Sequence, residues 1–595
     1  MVRSRLNLLL TLALLTGPPS LAAGLSVTTT TRSDAPNLFV ADIAVADAVV
    51  MRLRGSTRQA VEDRAGVVAD RLTDLALAGI EPADIRVVGG RQPAVRIGKQ
   101  TLITVDGAQA RLSANSPAGL AASWAGLLKE AFAQPYVAVA PARLTVPYLE
   151  RRTIRVGGTV PGAVLLGLYA PDIIEPEPRD AGRTIAVRGV GVGATALGIS
   201  RGDQRATVPI EVRKWAAVFG SPERILFTGA RPAQDVLTRL ALNAALAGTH
   251  LESGAHMTAS VTPPEPSASA YRVALRAAGG GHLSAAKALY VRPDRMPPPA
   301  QPPSVLLVSN EPENVSDHGD LFVGTLEPRT AARLLYHHKC VMAAGCQLWL
   351  ELCNVSSQTA AVHVLAGAAG PHPDELFVGH LAARRFYDST RAGTGYVLYV
   401  PPGRSWSAFQ WPLAQGEVAS GLLRLTSLNQ AEVRVCLSAR EPRTALPVYP
   451  EAASPYRLTT AHMPGTRFSP TKRLSARYAV GDGWLFLHLG KSGTPDHQGT
   501  LLHGDYGIAH EIEIQIENGT PLPRRIEVAL RAGGGAARGI FVIDGQTVET
   551  DVLYPGQEDL LHKLVLPPKQ QRTLSIETMP ESASSYPVTL VVRSR

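Results

Sequence analysis

The sequence has 595 residues, of which 18% are charged and 5% aromatic, and its formal net charge is +9. A charged fraction this low excludes a highly charged disordered chain, and the length predicts about four domains. The basic residues are scattered along the sequence, so we expect at most a weak attraction to acidic envelope polymers and no nucleic-acid binding.

The amino-terminal residues have the pattern of a secretory signal peptide. Arg3 and Arg5 precede an apolar stretch at 8–15, and residues 20–22 form a small-x-small cleavage site. We therefore expect cleavage between Ala22 and Ala23. No later stretch reaches the length of a transmembrane helix. The expected locations are the periplasm, the cell surface or the medium, for a protein without a transmembrane segment.

Residues 37–148 predict a small α+β domain. Ser56 would cap a first helix, with Gln59 in the capping-box position, and a second helix would begin at Ser116-Pro117. Between them, two β-like stretches on either side of residues 98–100 predict a hairpin.

Residues 149–213 predict a small β-sandwich, because short strands alternate with Gly and Asp turns at spacings near ten residues. The pattern includes Gly157, Asp172-Ile173, Gly193, Thr195 and Leu197. With these residues the segment resembles the N-terminal domain of pilus-formation proteins, which is found at the start of secretins in type II, type III and tight-adherence secretion systems. The resemblance implies an Ig-like domain with an interaction or ring-packing role in the envelope, without catalytic residues.

Residues 214–293 predict another small α+β domain, with a helix around 232–246. The Pro-rich segment 294–304 follows and predicts a stiff linker between domains.

The last part of the sequence contains an internal duplication, which predicts two related β-sandwiches at 305–445 and 460–595. An alternating strand that ends in Asn354 parallels one that ends in Asn518, and a Pro-Pro pair follows each at a nearly constant offset. An Asn at a strand end is typical of a turn, and a ligand role is the alternative. The whole sequence therefore predicts a multidomain, mainly β protein with α+β parts near its N-terminus and Ig-like modules, the last two duplicated.

All the cysteines lie in the first repeat: Cys340, Cys346, Cys353 and Cys436. In an exported protein an even number favours disulfides, and we expect the pairs Cys340–Cys346 and Cys353–Cys436. The alternative is a soft-metal site, although its spacing matches no common zinc pattern. Its residues would be His337, His338, Cys340 and Cys346. We expect no bound metal and no cofactor.

Two further groups of side chains are candidate sites. His503, Asp505, His510 and Glu511 offer acid–base or metal-binding chemistry, but the surrounding sequence favours a turn with exposed polar groups. Trp406, Phe409 and Trp411 favour core packing, with a sugar-binding platform as the alternative.

These patterns predict a non-enzymatic, modular envelope protein with an interaction or structural role, other envelope proteins as partners, and pilus or secretion assembly as one setting. The alternative is an exported carbohydrate- or metal-binding protein that uses the C-terminal pair of β-sandwiches. A secreted hydrolase that depends on His510 is a third option.

Overall fold

The computed structural model describes residues 25–265, 269–442, 448–452 and 467–595. The predicted signal peptide, with Ala22 and Ala23, and the predicted repeat boundaries at 445 and 460 lie outside these ranges. The chain divides into two compact units: one extends to Trp215 and includes Gly281–Leu283, and the other comprises Ala216–Gly280 and Ser284–Arg595. Among the described residues, no helix combines the length and the apolar character needed to cross a bilayer.

The first unit opens with an α+β domain. Its elements are β1 (Val27–Ala35), β2 (Leu38–Val45), β3 (Ala48–Gly55), α1 (Arg58–Ala78), a 3₁₀ turn (Pro82–Asp84), β4 (Ile85–Val88), β5 (Ala94–Ile97), β6 (Gln100–Thr104), α2 (Gly107–Leu112) and α3 (Pro117–Ala131). The strands form two sheets, β1-β2-β3 and β4-β5-β6. Apolar residues of α1 and α3 pack with both sheets in one core.

The N-termini of α1 and α3 test two capping predictions. Ser116 caps α3 as expected, because its Oγ accepts a hydrogen bond from the amide of Gly119 at 3.0 Å. The capping box at Ser56 is wrong, since Thr57 is the N-cap of α1. Gln59 is then only two residues from the cap and cannot reach back to it, and its Nε2 donates to Asp63 at 2.8 Å instead.

A β-sandwich completes the first unit. Its strands are β7 (Val137–Ala140), β8 (Leu144–Pro147), β9 (Arg151–Gly158), β10 (Leu165–Leu166), β11 (Ile174–Arg179), β12 (Thr184–Gly189), β13 (Gly193–Arg201) and β14 (Gln204–Arg213), with a 3₁₀ turn at Asp180–Gly182. The two sheets have the orders β10-β13-β14-β8 and β11-β12-β9-β7 and enclose one apolar core. Strands β7 and β8 precede residue 149, so the sandwich begins before the predicted boundary.

The second unit begins with β15 (Ala217–Phe219), β16 (Ile225–Thr228), α4 (Gln234–Leu246), β17 (Thr249–Leu251), β18 (Ala255–Thr262), β19 (Tyr271–Gly279), β20 (Ala285–Val291) and β21 (Pro293–Arg295). The first repeat follows with β22 (Val305–Ser309), β23 (Asn314–Val315), β24 (Gly319–Leu326), β25 (Ala331–Cys340), β26 (Cys346–Asn354), β27 (Ala360–His372), α5 (Glu375–Ala392), β28 (Gly395–Val400), β29 (Ser405–Leu413), β30 (Val418–Ser427) and β31 (Val433–Arg440).

The second repeat contains β32 (Arg467–Phe468), β33 (Thr471–Ala479), β34 (Trp484–Leu489), β35 (Thr494–Pro495), β36 (Leu501–Leu502), a 3₁₀ turn (His503–Asp505), β37 (Ala509–Glu517), β38 (Arg524–Arg531), β39 (Ile540–Ile543), β40 (Gln546–Glu549), β41 (Glu558–Leu566), β42 (Gln571–Thr578) and β43 (Val588–Ser594). Its two sheets have the orders β33-β37-β42-β39-β40 and β34-β43-β38-β41.

The predicted Pro-rich linker does not separate two folding units. Strands from both sides of residues 294–304 share one sheet, with the order β21-β16-β28-β27-β30-β25-β22-β32. This sheet faces the sheet β24-β31-β26-β29 across the core of the first repeat. The strands before the linker therefore extend a sheet of the repeat that follows it.

The structure confirms the duplication. In the first repeat β26 pairs with β29 and β27 pairs with β28, and in the second repeat β37 pairs with β42 and β38 pairs with β41. These pairs occupy corresponding places along the two copies. The mainly β fold with Ig-like sandwich modules is therefore as the sequence predicts.

Asn354 and Asn518, at the ends of their strands, have the same structural role. Asn354 Nδ2 donates to the carbonyls of Gln358 and Val400 at 2.7 and 2.8 Å, and its Oδ1 accepts from the amide of Ser356. Asn518 Nδ2 donates to Leu522 and Leu566, both at 2.9 Å, which are the corresponding positions. Both side chains are fully buried. This geometry accounts for both asparagines as turn-forming residues.

We expect Asn518→Ala to lower the free energy of unfolding by about 2 kcal/mol, because it leaves buried carbonyl and amide groups without partners. Chemical denaturation followed by circular dichroism measures the loss. Asn354→Ala should have a similar effect, whereas Asn310→Ala, on an exposed loop, should change stability little. An Asn518→Ala protein as stable as the wild type would contradict the structural role.

Helix α5 is an insertion of the first repeat that the sequence analysis did not predict. Asp374 caps its start by accepting from the amide of Phe377 at 2.9 Å, and Gly393 ends it in the left-handed conformation. The helix packs on β27 and β30. At Gly367 the backbone of β27 lies so close that a Cβ atom would sit 2.1 Å from the amide nitrogen of Phe386.

The two repeats contact each other through buried polar groups. Arg333 Nη1 of the first repeat donates to the carbonyls of Pro470 and Gly507 at 2.6 and 3.0 Å. Burial lowers the pKa of Arg333 to about 10. On α5, His380 Nδ1 lies 2.8 Å from a carboxylate oxygen of the fully buried Glu581. Burial raises the pKa of Glu581, although the nearby His380 opposes the shift.

Candidate functional site

A cavity of about 470 Å³ lies beside the sandwich of the first repeat. Helix α4 forms one wall, strands β26, β28 and β29 form others, and residues 448–451 complete the lining. Its volume falls within the range of roughly 300–1,000 Å³ that is typical of small-molecule sites.

Strand β29 contributes six consecutive residues, 405–410, to the lining. It is the edge strand of its sheet, so one of its sides has no neighbouring strand. Its pairing with β26 also shifts register, since Leu350 is opposite Phe409 whereas Glu351 is opposite Ser407. Ala408 is therefore an extra residue in β29, and the alternation of its side chains is interrupted there.

The walls of the cavity are rich in aromatic side chains: Trp349, Tyr396, Trp406, Phe409 and Tyr449. Tyr396, Trp406 and Phe409 are half-buried, while Trp349 and Tyr449 are buried. Half-buried rings present a flat apolar surface to a ligand without the cost of opening the core. The lining thus combines rigid aromatic faces with direct access from solvent.

A buried charge network supports the aromatic walls. Glu351 is 2% exposed, accepts a hydrogen bond from Ser405 Oγ at 3.2 Å and pairs with the guanidinium of Arg440. That guanidinium lies over the ring of Trp349, 4.2 Å from its centroid, and is 3.6 Å from Glu451. One arginine therefore fixes an aromatic wall and two carboxylates of the cavity.

The other walls are held by hydrogen bonds to backbone atoms. Asn243 of α4 exchanges two hydrogen bonds with the backbone of Tyr399 on β28, at 2.7 and 2.8 Å. The hydroxyl of Tyr449 donates to the carbonyl of Thr249 at 2.6 Å. Burial raises the pKa of Tyr396, although the positive charge of Arg239 opposes the shift. The cavity is therefore preformed, with Arg239 exposed at its rim.

The three aromatic residues singled out in β29 divide between two roles. Trp406 and Phe409 line the cavity, as the sugar-platform alternative requires, and they also pack against the core. Trp411 is not among the lining residues, and its Nε1 donates to the buried hydroxyl of Tyr336 at 2.9 Å. The remaining walls come from residues between 236 and 451. These residues are far from one another in the sequence, so no sequence pattern predicts that they form one site.

All four cysteines are buried thiols in the structure. The predicted partners are nevertheless neighbours: Cys353 Sγ lies 3.4 Å from Cys436 Sγ, and the thiols of Cys340 and Cys346 interact. Burial, with a contribution from Cys340, raises the pKa of Cys346 to about 12. The two disulfides remain predictions, and the geometry is compatible with the pairing that we expect.

The alternative soft-metal site is not assembled. His338 is fully buried, and its two ring nitrogens lie 2.9 Å from Ser309 Oγ and from the carbonyl of Pro312. It therefore has structural partners of its own. His337 is its neighbour on β25, so the two side chains point to opposite faces of the sheet.

The cluster around Asp505 differs from the exposed turn that the sequence favours. His503 and Glu511 are exposed, but Asp505 and His510 are 0% and 1% exposed. Asp505 accepts hydrogen bonds from Lys472 at 2.9 Å and Thr494 at 2.7 Å, and it lies 3.2 Å from His510 Nε2. Because Asp505 and His510 are buried, the interpretation as an exposed turn is wrong for these two residues. The positive charge of Lys472 on β33 compensates for burying the carboxylate of Asp505. A carboxylate enclosed in this way is closed to a substrate.

Residues 42–135 match a family described as Domain of unknown function (DUF8459). No pilus-formation or secretin-associated family matches, so the resemblance of residues 149–213 to the N-terminal domain of pilus-formation proteins is wrong.

Packing within the first unit accounts for the residues behind that resemblance. A Cβ at Gly157 would lie 2.0 Å from the carbonyl oxygen of Leu77, and Gly193 has a φ of 155°. Leu197 is buried, and Thr195 accepts a hydrogen bond from the amide of Ala170. Turns and core positions of a β-sandwich require such residues without any common ancestry.

No curated protein matches the sequence. Among solved structures, domains 5–6 of the S-layer protein SbsC are similar at 15% identity with a TM-score of 0.13, covering 27% of this chain and 99% of that one. Domains 4–9 of SbsC give 10% identity, a TM-score of 0.13 and coverages of 76% and 84%. The human desmocollin-1 ectodomain gives 8% identity, a TM-score of 0.12 and coverages of 32% and 45%. Similarity this low transfers no function to the chain.

Proposed function

We propose that the protein is an exported, non-catalytic, modular protein of the cell envelope that binds a saccharide in the cavity of its first β-sandwich repeat. The aromatic cavity beside β29 carries this proposal. A sugar ring has an apolar C–H face and a rim of hydroxyl groups, and it therefore suits a site with aromatic walls and a few hydrogen-bonding groups. Export is supported by the signal-peptide pattern of the sequence.

The lining supplies both kinds of contact. Trp406, Tyr396 and Phe409 offer half-buried rings for stacking. Hydrogen-bonding groups are provided by Arg239, Ser407, Gln410 and Glu451. A volume of about 470 Å³ holds one or two sugar units and excludes a folded partner.

Binding to a glycan array, followed by calorimetry with the best soluble mono- or disaccharide, tests the proposal. Trp406→Ala should weaken binding about tenfold or more, since a central aromatic contact is commonly a hot spot. Trp484→Ala is the matched control, because Trp484 lies on β34 of the second repeat and is 50% exposed. The Trp484→Ala protein should bind the saccharide with the affinity of the wild type.

Two results would overturn the proposal. One is a wild-type protein that binds no saccharide of the array. The other is a Trp406→Ala protein that is folded by circular dichroism and keeps wild-type affinity.

A further inference from the structure

His337 is a buried histidine whose ring nitrogens have no hydrogen-bond partner. The residue lies on β25 and is 3% exposed, and both Nδ1 and Nε2 are unpaired. The side chain of Glu313 is near, with 3.8 Å between its Oε1 and His337 Nε2. That distance is too long for a hydrogen bond. Buried polar groups are nearly always satisfied, so this imidazole requires an explanation.

Two carboxylates face the unpaired imidazole. Glu313 lies in the loop after β22, and Glu375 is the first residue of α5. Donor atoms of His337, Glu313 and Glu375 all lie within 4.8 Å of one another. The loop that carries Glu313 borders an open cavity of about 450 Å³, formed by residues 310–314. The cluster is thus open to solvent on the side of that loop.

We propose that His337, Glu313 and Glu375 form a binding site for one divalent transition-metal ion, with Zn²⁺ the ion that fits best. One imidazole nitrogen and two carboxylates are donors that zinc accepts, whereas calcium and magnesium prefer sites made of oxygen alone. Three protein donors leave a fourth position of a tetrahedral site for water or an external ligand. The inference is independent of the saccharide cavity.

Lys339 shares one carboxylate with the proposed site. Its Nζ is 2.7 Å from Glu375 Oε1, and Lys339 follows His337 by two positions, on the same face of β25. The ammonium group balances the charge of Glu375 and has to move aside when a metal binds. Because this side chain is 30% exposed, it has room to turn into solvent. Removing its charge should therefore strengthen metal binding.

Titration of the full, chelator-treated protein with Zn²⁺ tests the site, with calorimetry for affinity and native mass spectrometry for stoichiometry. Glu313→Gln should weaken binding by about tenfold or more, because losing even an outer-shell partner of a metal ligand costs that much and Glu313 is a direct ligand of the proposed site. Glu311→Gln is the matched control, since it makes the same change in the same loop outside the cluster. It should bind like the wild type. Lys339→Gln should bind more tightly than the wild type.

Glu313 is exposed, so its variant is expected to fold, whereas His337→Ala changes a buried residue of a central strand. Equal zinc affinity in the wild type and in Glu313→Gln would overturn the site, as would a wild type that binds no zinc. Titration with Co²⁺ gives a further check. A sulfur-to-cobalt charge-transfer band would place the ion on cysteine ligands and would also overturn the assignment.

Discussion

Replacing Asp505 by asparagine is expected to lower the free energy of unfolding by about 3 kcal/mol. The carboxylate is fully buried and receives hydrogen bonds from Lys472 and Thr494, with His510 also in contact. Asparagine leaves the ammonium of Lys472 without its buried counter-charge and directs an amide group toward donors. Urea unfolding at neutral pH, followed by circular dichroism, measures the loss.

The matched control is Asp482→Asn, which makes the same change at an exposed turn of the same repeat and should leave stability nearly unchanged. Equal losses in the two variants would contradict a specific role for the buried carboxylate.

The effect of Asp505→Asn should also depend on pH. Burial alone would raise the pKa of Asp505, but contacts with His510, Lys472 and Thr494 outweigh it and lower this pKa from 3.8 to about 2. A lowered folded-state pKa stabilises the fold above pH 4, and this contribution of about 2 kcal/mol is lost as the pH falls toward 2. The stability difference between wild type and variant should therefore shrink over this interval. A constant difference would contradict the assignment.

Gly367→Ala is expected to destabilise the second unit by about 3 kcal/mol. The added Cβ would lie 2.1 Å from the amide nitrogen of Phe386 and 2.3 Å from the carbonyl oxygen of Ala382, both in the backbone of α5. A backbone cannot turn away as a flexible side chain can, so the helix must shift on β27. Thermal unfolding followed by calorimetry measures the decrease in stability.

Gly519→Ala is the control for this prediction, because no atom lies within 4 Å of the position that its Cβ would take. It should be close to neutral. If Gly367→Ala were equally neutral, the close approach between helix and strand would be wrong.

The sequence predicts much of the β architecture because its signals are local. Asn518 and its counterpart Asn354 stand at strand ends, and the Pro-Pro pairs recur at nearly the same offset, so the duplication is visible without tertiary information. Helix α5 also has local signals in the sequence. Asp374 is a typical N-cap residue and Gly393 a typical C-cap residue, and they flank a segment of helical character. The helix lies inside a run of strand signals, where a helical insertion breaks the regular alternation of strands and turns.

The candidate sites depend on contacts that the sequence does not show. Trp406 and Phe409 are close enough in sequence to suggest a platform, but Trp349 and Tyr449 join them from distant parts of the chain. Glu313 and Glu375 approach His337 only because α5 and the loop after β22 end on the same side of β25. Side chains that meet through tertiary packing leave no spacing in the sequence from which to predict the site.

The pairing of β16 with β28 has a consequence for the order in which the chain can fold. Phe227 finds its partner at Tyr396, so the strand before the Pro-rich segment has no neighbour on that side until residues 395–400 have been synthesised. Contacts between residues this far apart in the sequence form late and slowly. During biosynthesis β16 therefore stays unpaired on that side until the chain has been made as far as residue 400.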